Sequence, residues 1–500
     1  MLEIWKLQGN KINVKKVWLI IGIAILAICL FYVPNIQKTF VNKEQKYGIE
    51  PIDCAFKNRK NLSTLECYNI HVPEIYGNKK TQTITFPLRI FKSLDGLSSK
   101  NPVLHLGAGG PGEAMGLDDS TVLRQIAKDH GAISFEQGRD LFVIDPRGTG
   151  LSKPLLNCLA YSNNLLDSFK HKQNLNQQFS FMEDNYLTCI NQFRKSQINF
   201  NGYNSSAISN DIEMLRGFFN IDKWVLFGVS YSTVYAMNID KQYPNSVEKM
   251  VLDSAYFPNL KDLRHFLLNA YPVFLRLYNY ADVVNKMGVD VNITMDMDIK
   301  TRIWNLHEKL NNYPLDVGFL DLKVDGNNFI NTLVVGAYGT DIFTKLPQVI
   351  REMENNNSKT FSDFFESYLL FLEDKDYAVI SSLTHYCYEH EPFIDFEKLN
   401  KQIFKLDKGY MQENARKTVQ MNYFCKEMNI TSTDKSLADA IKTDTPTLFI
   451  HGMFDTVTPL IDVLEQMKGF SNSKLLTYNT SHSVMEDGEV EKVVAQFIKE

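Results

Sequence analysis

The sequence predicts an α/β fold in which helices cover both faces of a mostly parallel sheet. Short apolar runs recur along the 500 residues, and such runs are typical of parallel strands buried on both faces. Helical patterns lie between them, as at 211–220 and 233–243, and alternation of strand and helix indicates a parallel sheet. A hydrophobic fraction of 44% and a charged fraction of 22% are those of a folded chain, which argues against intrinsic disorder.

The predicted strands of this sheet share one feature, because each ends in turn residues. Thr83–Phe91 alternates between apolar and polar residues in the manner of a half-buried strand. The other strands are predicted at Val103–Leu106, Leu141–Ile144, Trp224–Phe227, Met250–Leu252, Thr447–Ile450 and Lys474–Tyr478.

Residues 257–440 break this alternation. They contain helical patterns rich in Phe, Tyr and Leu, such as 361–372, and few strand signals. Strands resume at Pro446, and both halves of the sheet are needed to complete one core. We therefore predict that 257–440 is a helical cap inserted between two core segments, 51–256 and 441–500.

The first residues of the chain predict a membrane anchor. Four lysines and one glutamate in residues 1–16 precede an uncharged apolar run at 17–33, which would span roughly 26 Å as a helix. No small-residue cleavage site ends the run, so we predict an uncleaved signal anchor with a cytoplasmic N-terminus. Residues 34–50 would be a tether, and the rest would be periplasmic or extracellular. A cleaved signal peptide is the alternative.

The net charge bears on possible partners. The formal charge is −5, and because residues 1–16 carry +3, the remainder carries −8. A net-acidic body argues against nucleic acid as a partner, since phosphate backbones bind basic surfaces.

The cysteines fit an exported protein. Setting aside Cys29 in the apolar run leaves six, and an even number is typical of an oxidising compartment. Fifteen pairings are possible, and buried free thiols are the alternative. We predict nearest-neighbour pairs, since each would close a local loop: Cys54–Cys67, Cys158–Cys189 and Cys387–Cys425. The absence of a Cys-x-x-Cys motif argues against a metal site, and the sequence implies no cofactor.

The segment Gly228-Val229-Ser230-Tyr231-Ser232 predicts a nucleophile. It follows an apolar run and precedes a helical pattern, and a serine in such a turn is held exposed above the sheet. Positions 228 and 232 must be small because strand and helix pass close to each other. Ser232 adds one hydroxymethyl group there, which we expect to cost some packing. An ordinary turn is the alternative.

Two further residues complete a candidate triad. Asp455 comes just after a predicted strand, and His482 lies in a loop before the final helix. The chain order Ser230, Asp455, His482 is the nucleophile–acid–base order of α/β hydrolases. We predict that His482 is the general base and that Asp455 orients its imidazole.

Glycine-rich turns accompany these residues. Gly109-Gly110-Pro111-Gly112 follows the strand at 103–106, and we predict that the backbone N–H groups of Gly110 and Tyr231 form an oxyanion hole. A plain Gly/Pro turn is the alternative. After the next strand, Asp145 and Arg147 are predicted to form a charge-assisted pair that holds their loop.

From about residue 50 onward, the chain resembles the prolyl aminopeptidase and tripeptidyl aminopeptidase branch of the α/β hydrolases. The resemblance is carried by the Gly-Gly-Pro-Gly loop and by three longer stretches: DPRGTGLS at 145–152, NDIEMLRGFFNIDKWVLFGVSYS at 210–232 and TPTLFIHGMFDTVTP at 445–459. It implies an α/β-hydrolase fold with a mostly parallel central sheet and an inserted helical cap. It also implies release of N-terminal residues or short peptides from substrates with a free amino end. The exported tripeptidyl members carry cysteines whose spacing resembles that found here.

The combined prediction is a membrane-anchored, exocytoplasmic serine aminopeptidase that acts through an acyl-enzyme. Its partners would be a peptide with a free N-terminus and the lipid bilayer. Candidates for binding the substrate are Glu113 and Glu486, although Glu486 equally fits a helix-entry acid favoured by the helix dipole. The alternatives are a carboxylesterase or lipase acting on small lipophilic esters, and a catalytically inactive hydrolase fold used for binding.

Overall fold

The structure is a computed structural model. It describes residues 46–54, 64–94, 100–170, 174–259, 299–317, 322–405, 412, 415–416, 419, 422–431, 436, 439–485 and 488–500. The chain divides into two units, Met1–Gln45 and Lys46–Glu500. The predicted anchor at 17–33 and Glu486 lie outside the described residues. Within those ranges, no helix is both long enough and apolar enough to cross a bilayer.

Eleven strands are described. Their bounds are β1 Gly48–Ile52, β2 Leu65–Pro73, β3 Thr83–Phe91, β4 Val103–His105, β5 Leu141–Ile144, β6 Trp224–Val229, β7 Val247–Asp253, β8 Leu315–Asp316, β9 Lys323–Val324, β10 Thr447–Gly452 and β11 Ser473–Tyr478.

Nine of these strands form one sheet in the order β1-β2-β3-β5-β4-β6-β7-β10-β11. β1, β2 and β3 run antiparallel, and β3 also pairs antiparallel with β5. From β5 to β11 every neighbouring pair is parallel. The predicted mostly parallel α/β sheet is therefore confirmed. Sequence patterns missed β1, which begins inside the expected tether at 34–50, because its residues at the sheet edge are partly or fully exposed. They also missed β2, whose buried residues do not alternate strictly with exposed ones.

Fourteen α-helices are described in the same ranges. Their bounds are α1 Ser120–His130, α2 Leu159–Phe169, α3 Leu175–Lys195, α4 Ser205–Phe218, α5 Ser232–Gln242, α6 Ile299–Asn312, α7 Gly326–Gly336, α8 Asp341–Glu354, α9 Lys359–Glu373, α10 Val379–Glu389, α11 Phe396–Ile403, α12 Tyr423–Glu427, α13 Leu460–Gln466 and α14 Gly488–Lys499.

The sheet is buried on both faces, which explains the continuous apolar runs. Successive residues of a strand point to opposite faces, and in β6 Val225 and Leu226 belong to two different hydrophobic clusters. Val225 packs in the cluster that includes Val494 of α14, whereas Leu226 packs in the cluster that includes Val234 of α5.

Helices α6 to α12 lie between β7 and β10 in the sequence. Their apolar residues, such as Leu333 and Phe361, join the same cluster as Leu226 of the sheet. The helical pattern at 361–372 falls within α9. One short antiparallel pair, β8 with β9, also occurs there, and two residues per strand are too few for a sequence signal.

Among the described cysteines, three disulfides are present, and they join nearest neighbours. Cys54–Cys67 ties the end of β1 to β2, Cys158–Cys189 ties the start of α2 to α3, and Cys387–Cys425 ties α10 to α12. Each closes a loop of 13, 31 or 38 residues, and such cross-links stabilise a fold by about 2–4 kcal/mol.

Candidate active site

Ser230 lies in the turn between β6 and α5. Its φ of 52° is in the left-handed region, which non-glycine residues adopt uncommonly and which occurs often at functional sites. A Cβ on Gly228 would lie 2.9 Å from the backbone nitrogen of Thr233, so the close approach of helix and strand requires glycine there. The Ser230 N–H donates to the carbonyl of Asp253 at 2.8 Å, which ties the turn to the end of β7.

Ser232 closes this turn through its hydroxyl. The oxygen accepts from the Val229 N–H and donates to the Val229 carbonyl, both at 2.8 Å, and the residue is fully buried. The expected packing cost at this position stays a prediction, and the hydroxyl of the extra group forms two hydrogen bonds within the turn.

His482 and Asp455 are in contact. His482 Nδ1 lies 2.8 Å from Asp455 Oδ2, and the Asp455 side chain is fully buried. Its Oδ1 accepts from the N–H groups of Val457 and Thr458 at 2.8 Å, and Thr458 Oγ1 donates to Oδ2 at 2.8 Å. Four atoms of three residues thus hold one carboxylate, and Asp455 in turn fixes the orientation of the imidazole.

The electrostatics of this pair follow from its burial. Burial alone raises the pKa of Asp455, but the charge and hydrogen bond of His482 outweigh it and lower that pKa to about 2. For His482, burial lowers the pKa, yet Asp455 outweighs it and the net shift is upward. Asp455 is therefore ionised at neutral pH, and the Nδ1 proton of His482 is directed to it. The other ring nitrogen, Nε2, is left outside the pair.

Asp253, at the end of β7, connects the histidine loop to the serine turn. Its carboxylate accepts from the N–H groups of Val484 and Met485 at 2.9–3.0 Å, while its carbonyl accepts from Ser230. Burial raises the pKa of Asp253 to about 6, although these N–H groups oppose the rise. Sequence analysis assigned Asp253 no role, because the N–H groups that its carboxylate accepts from lie more than 200 positions away.

The glycine loop lies against the nucleophile. A Cβ on Gly109 would be 3.0 Å from the Ser230 Cβ. The two N–H groups predicted for the oxyanion hole already have acceptors in this structure. The Tyr231 N–H donates to the Gly109 carbonyl at 2.7 Å, and the Gly110 N–H donates to Glu113 Oε2 at 2.9 Å.

Helices from the segment between β7 and β10 border the site. The Tyr338 ring packs edge-on against the His482 ring at 5.3 Å, and the Tyr338 carbonyl accepts from the His482 N–H at 3.3 Å. Glu389 of α10 is fully buried and accepts from the Tyr231 hydroxyl at 2.6 Å. The sequence contained no signal for this contact, since its partners are 158 positions apart.

Arg147 does not pair with Asp145 as predicted. Its guanidinium binds both carboxylate oxygens of Asp211, with Nε at 2.7 Å from Oδ2, and donates to three backbone carbonyls. Asp145 instead accepts from the Met115 N–H at 2.7 Å and from the Leu151 N–H at 3.3 Å. The prediction was wrong because the two side chains, two positions apart, contact different elements.

Among the described residues, no group of three or more His, Cys, Asp or Glu side chains is arranged to hold a metal ion.

Comparison with known proteins agrees with this geometry. A family model described as alpha/beta hydrolase fold matches residues 108–298, and one described as TAP-like protein matches residues 412–500. The chain is an α/β hydrolase. Its first matched segment contains Ser230 and the glycine loop, and its TAP-like segment contains Asp455 and His482. No curated protein matches the sequence significantly.

Solved structures similar to this α/β hydrolase are distant in sequence. A 2-hydroxy-6-oxo-6-phenylhexa-2,4-dienoate hydrolase from a Rhodococcus species is 12% identical, with a TM-score of 0.39 over 87% of this chain and 100% of that one. MGS-M2, an α/β hydrolase from a Medee basin deep-sea metagenome library, is 13% identical, with a TM-score of 0.36 over 83% and 95%. An esterase from Exiguobacterium antarcticum is 12% identical, with a TM-score of 0.33 over 83% and 96%. Similarities at this level do not bear on the substrate.

Proposed function

We propose that this α/β hydrolase is a serine aminopeptidase that cleaves N-terminal residues from peptides through an acyl-enzyme. The observation that carries the proposal is the buried contact between His482 and Asp455, tied through Asp253 to the strained Ser230 turn. A serine hydroxyl needs a neighbouring base to become a nucleophile, and an ionised carboxylate keeps that base in the required tautomer.

The reaction would take two steps. The Ser230 oxygen attacks the peptide carbonyl carbon while His482 Nε2 takes the hydroxyl proton. The resulting oxyanion is held by backbone N–H groups, and the C–N bond breaks as the protonated His482 returns that proton to the leaving amine. A water molecule, deprotonated by His482, then attacks the ester on Ser230 and releases the acid. Asp455 stabilises the imidazolium in both steps.

Two observations favour a peptide over an ester as substrate. The segment 412–500 matches the TAP-like model, and the motifs of residues 109–112, 145–152 and 445–459 resemble aminopeptidases that act on free amino ends. In addition, Glu113 places a carboxylate beside the glycine loop, and a carboxylate is the group that receives a substrate ammonium.

We also propose that residues 17–33 anchor the enzyme in a membrane with its catalytic part outside the cytoplasm. Three disulfides support this, since such bonds persist in oxidising compartments. Carbonate extraction of membranes from expressing cells tests it. The full chain should stay in the membrane fraction and a chain lacking residues 1–33 should not, whereas full-length protein in the soluble fraction would exclude an uncleaved anchor.

A substrate panel tests the peptidase activity of the full chain in detergent. We expect cleavage of alanine- or proline-naphthylamide and of free tripeptides, no cleavage of N-acetylated peptides, and weaker turnover of p-nitrophenyl butyrate. Equal cleavage of acetylated and free peptides would exclude the aminopeptidase assignment. Turnover of the ester alone would favour an esterase. A fluorophosphonate probe should label the wild type but not Ser230→Ala, and absence of labelling in both would favour an inactive binding protein.

A further inference from the structure

We infer that Glu113 blocks the oxyanion hole in the resting enzyme and that the free α-ammonium of a substrate draws it away. Glu113 would thus bind the substrate and control the catalytic N–H group of Gly110. This inference rests on the proposed aminopeptidase function and deepens it, because it assigns the group that recognises the amino terminus.

The first step is the fit between Glu113 and Gly110. Residues 110 to 113 form a tight turn in which the Glu113 N–H donates to the Gly110 carbonyl at 3.2 Å. The side chain folds back so that Oε2 accepts from the Gly110 N–H at 2.9 Å. A Cβ on Gly110 would lie 2.7 Å from the carboxyl carbon of Glu113. The carboxylate can therefore lie flat against the backbone only because residue 110 is glycine.

The second step is the position of this carboxylate in the site. Gly109 touches Ser230, and the next residue, Gly110, touches Glu113, so two glycines separate the nucleophile from the acid. Burial raises the pKa of Glu113, whereas the hydrogen bond from the Gly110 N–H and the charge of His482 oppose that rise.

The third step is that Glu113 has no cationic side chain paired with it among the described residues. Among the described residues, no lysine or arginine forms an ion pair with Glu113, in contrast to Asp211, which binds Arg147. The side chain of Glu113 is partly exposed rather than sealed. A carboxylate in that situation is poised to accept a cationic ligand, since charge-assisted hydrogen bonds are about twice as strong as neutral ones.

The consequence for catalysis is electrostatic. An oxyanion forms where backbone N–H groups point, and a carboxylate bound to the Gly110 N–H occupies that place with charge of the same sign. The Gly110 N–H can serve the oxyanion only after Glu113 leaves it, and the Tyr231 N–H must likewise turn from the Gly109 carbonyl. A substrate ammonium provides both the attraction and the compensating charge, so a neutral ester or an acetylated peptide would meet a blocked hole.

The same geometry sets the number of residues released. In an amino acid, the α-amino nitrogen lies only about 3–4 Å from its own carbonyl oxygen, and each further residue moves it by about 3.3–3.6 Å. Because Glu113 and Gly110 belong to one tight turn, the carboxylate stays near the oxyanion site even after it leaves the Gly110 N–H, and it suits the ammonium of the residue being cleaved. We therefore expect single residues to be released in preference to tripeptides.

Three variants of the full-length enzyme test this, each assayed with alanine-naphthylamide, trialanine-naphthylamide and p-nitrophenyl butyrate. Glu113→Ala removes the carboxylate from the hole and from the ammonium. It should lower kcat/KM for alanine-naphthylamide by roughly 10- to 100-fold, raise kcat for the ester several-fold and speed fluorophosphonate labelling. Glu113→Gln should lower kcat/KM on the amide as well but leave the ester rate near the wild type, because its amide oxygen can still accept from Gly110. Asp118→Asn, an exposed acid of the same loop, should change neither rate.

In Glu113→Ala, the rate on the amide should fall and the rate on the ester should rise, and this difference distinguishes the inferred role of Glu113 from a structural one. Equal losses on both substrates in Glu113→Ala, with an unchanged unfolding temperature, would mean a structural role and overturn the inference. Unchanged rates on both would overturn it too, as would a wild type that prefers trialanine-naphthylamide. If the wild type cleaves no amide, the aminopeptidase proposal fails separately, and the ester and labelling rates of Glu113→Ala still test whether the hole is blocked.

Discussion

Two buried ion pairs in this α/β hydrolase, Asp455 with His482 and Asp211 with Arg147, differ in how completely they are satisfied. Arg147 uses its guanidinium donors on Asp211 and on three carbonyls, and none is left for a ligand. His482 gives only Nδ1 to Asp455, so its second nitrogen lies outside the pair. A buried pair with every donor used stabilises a fold, whereas one that keeps a nitrogen available can move protons.

The largest expected effect comes from removing the chemistry of the Asp455–His482 pair and its nucleophile. Ser230→Ala or His482→Ala should lower kcat by roughly 10⁶-fold, and Asp455→Asn by roughly 10⁴-fold, because the asparagine amide stabilises the wrong imidazole tautomer. Single-turnover assays with alanine-naphthylamide measure this. Unfolding temperatures near that of the wild type are the control, and a Ser230→Ala enzyme with wild-type turnover would remove the proposed mechanism.

Breaking the Asp211–Arg147 pair should affect stability instead. Arg147→Met leaves the fully buried Asp211 without its cation, and we expect a loss of about 3–5 kcal/mol in the free energy of unfolding. Denaturant titration monitored by circular dichroism measures it. The double variant Arg147→Met/Asp211→Leu is the matched control and should recover much of the loss. A single variant as stable as the wild type would show that the pair contributes little.

Activity and stability should depend on pH in opposite directions, because both depend on the protonation of His482. Only neutral His482 can act as a base, and since Asp455 raises its pKa above the ordinary histidine value, activity should fall about tenfold per pH unit below that raised pKa. Stability should change with pH in the opposite direction to activity. The protonated imidazole stabilises the fold below the unfolded-state pKa, and that contribution is lost as pH rises through the folded-state pKa. Profiles of kcat/KM and of unfolding temperature against pH measure both, and an acid limb well below the ordinary histidine pKa would contradict the assigned coupling.

The smallest expected effect concerns Ser232. Ser232→Gly restores the smaller residue but removes two hydrogen bonds to Val229, so we expect a loss of about 1–2 kcal/mol of stability and little change in kcat. Ser232→Ala keeps the Cβ and should lose a similar amount. Thermal unfolding of both variants measures it, and a more stable glycine variant would mean that the hydroxymethyl group strains the turn.

Sequence reasoning succeeded where the determinants are local. The parallel strands were predictable because burial on both faces demands continuous apolar runs, and Ser230 was predictable because the turn needs a small residue at 228. It missed β1, whose exposed residues show no hydrophobic periodicity. It also predicted the wrong partner for Arg147, because the actual partner, Asp211, is 64 positions away. It also missed the roles of Asp253 and Glu389, since an acid looks the same in sequence whether it is solvated or buried.

By itself, the sequence determined the fold class, the serine turn and the chain order of Ser230, Asp455 and His482, because hydrophobic period and turn chemistry act over a few residues. Only the tertiary structure decided which groups satisfy which charges: Arg147 with Asp211, the histidine loop with Asp253, and Glu113 with the Gly110 N–H. The physical reason is that a buried polar group must find a partner wherever the folded backbone presents one. Even for Glu113, three residues from Gly110, that partner depends on the dihedral angles of the turn and on what packs around it.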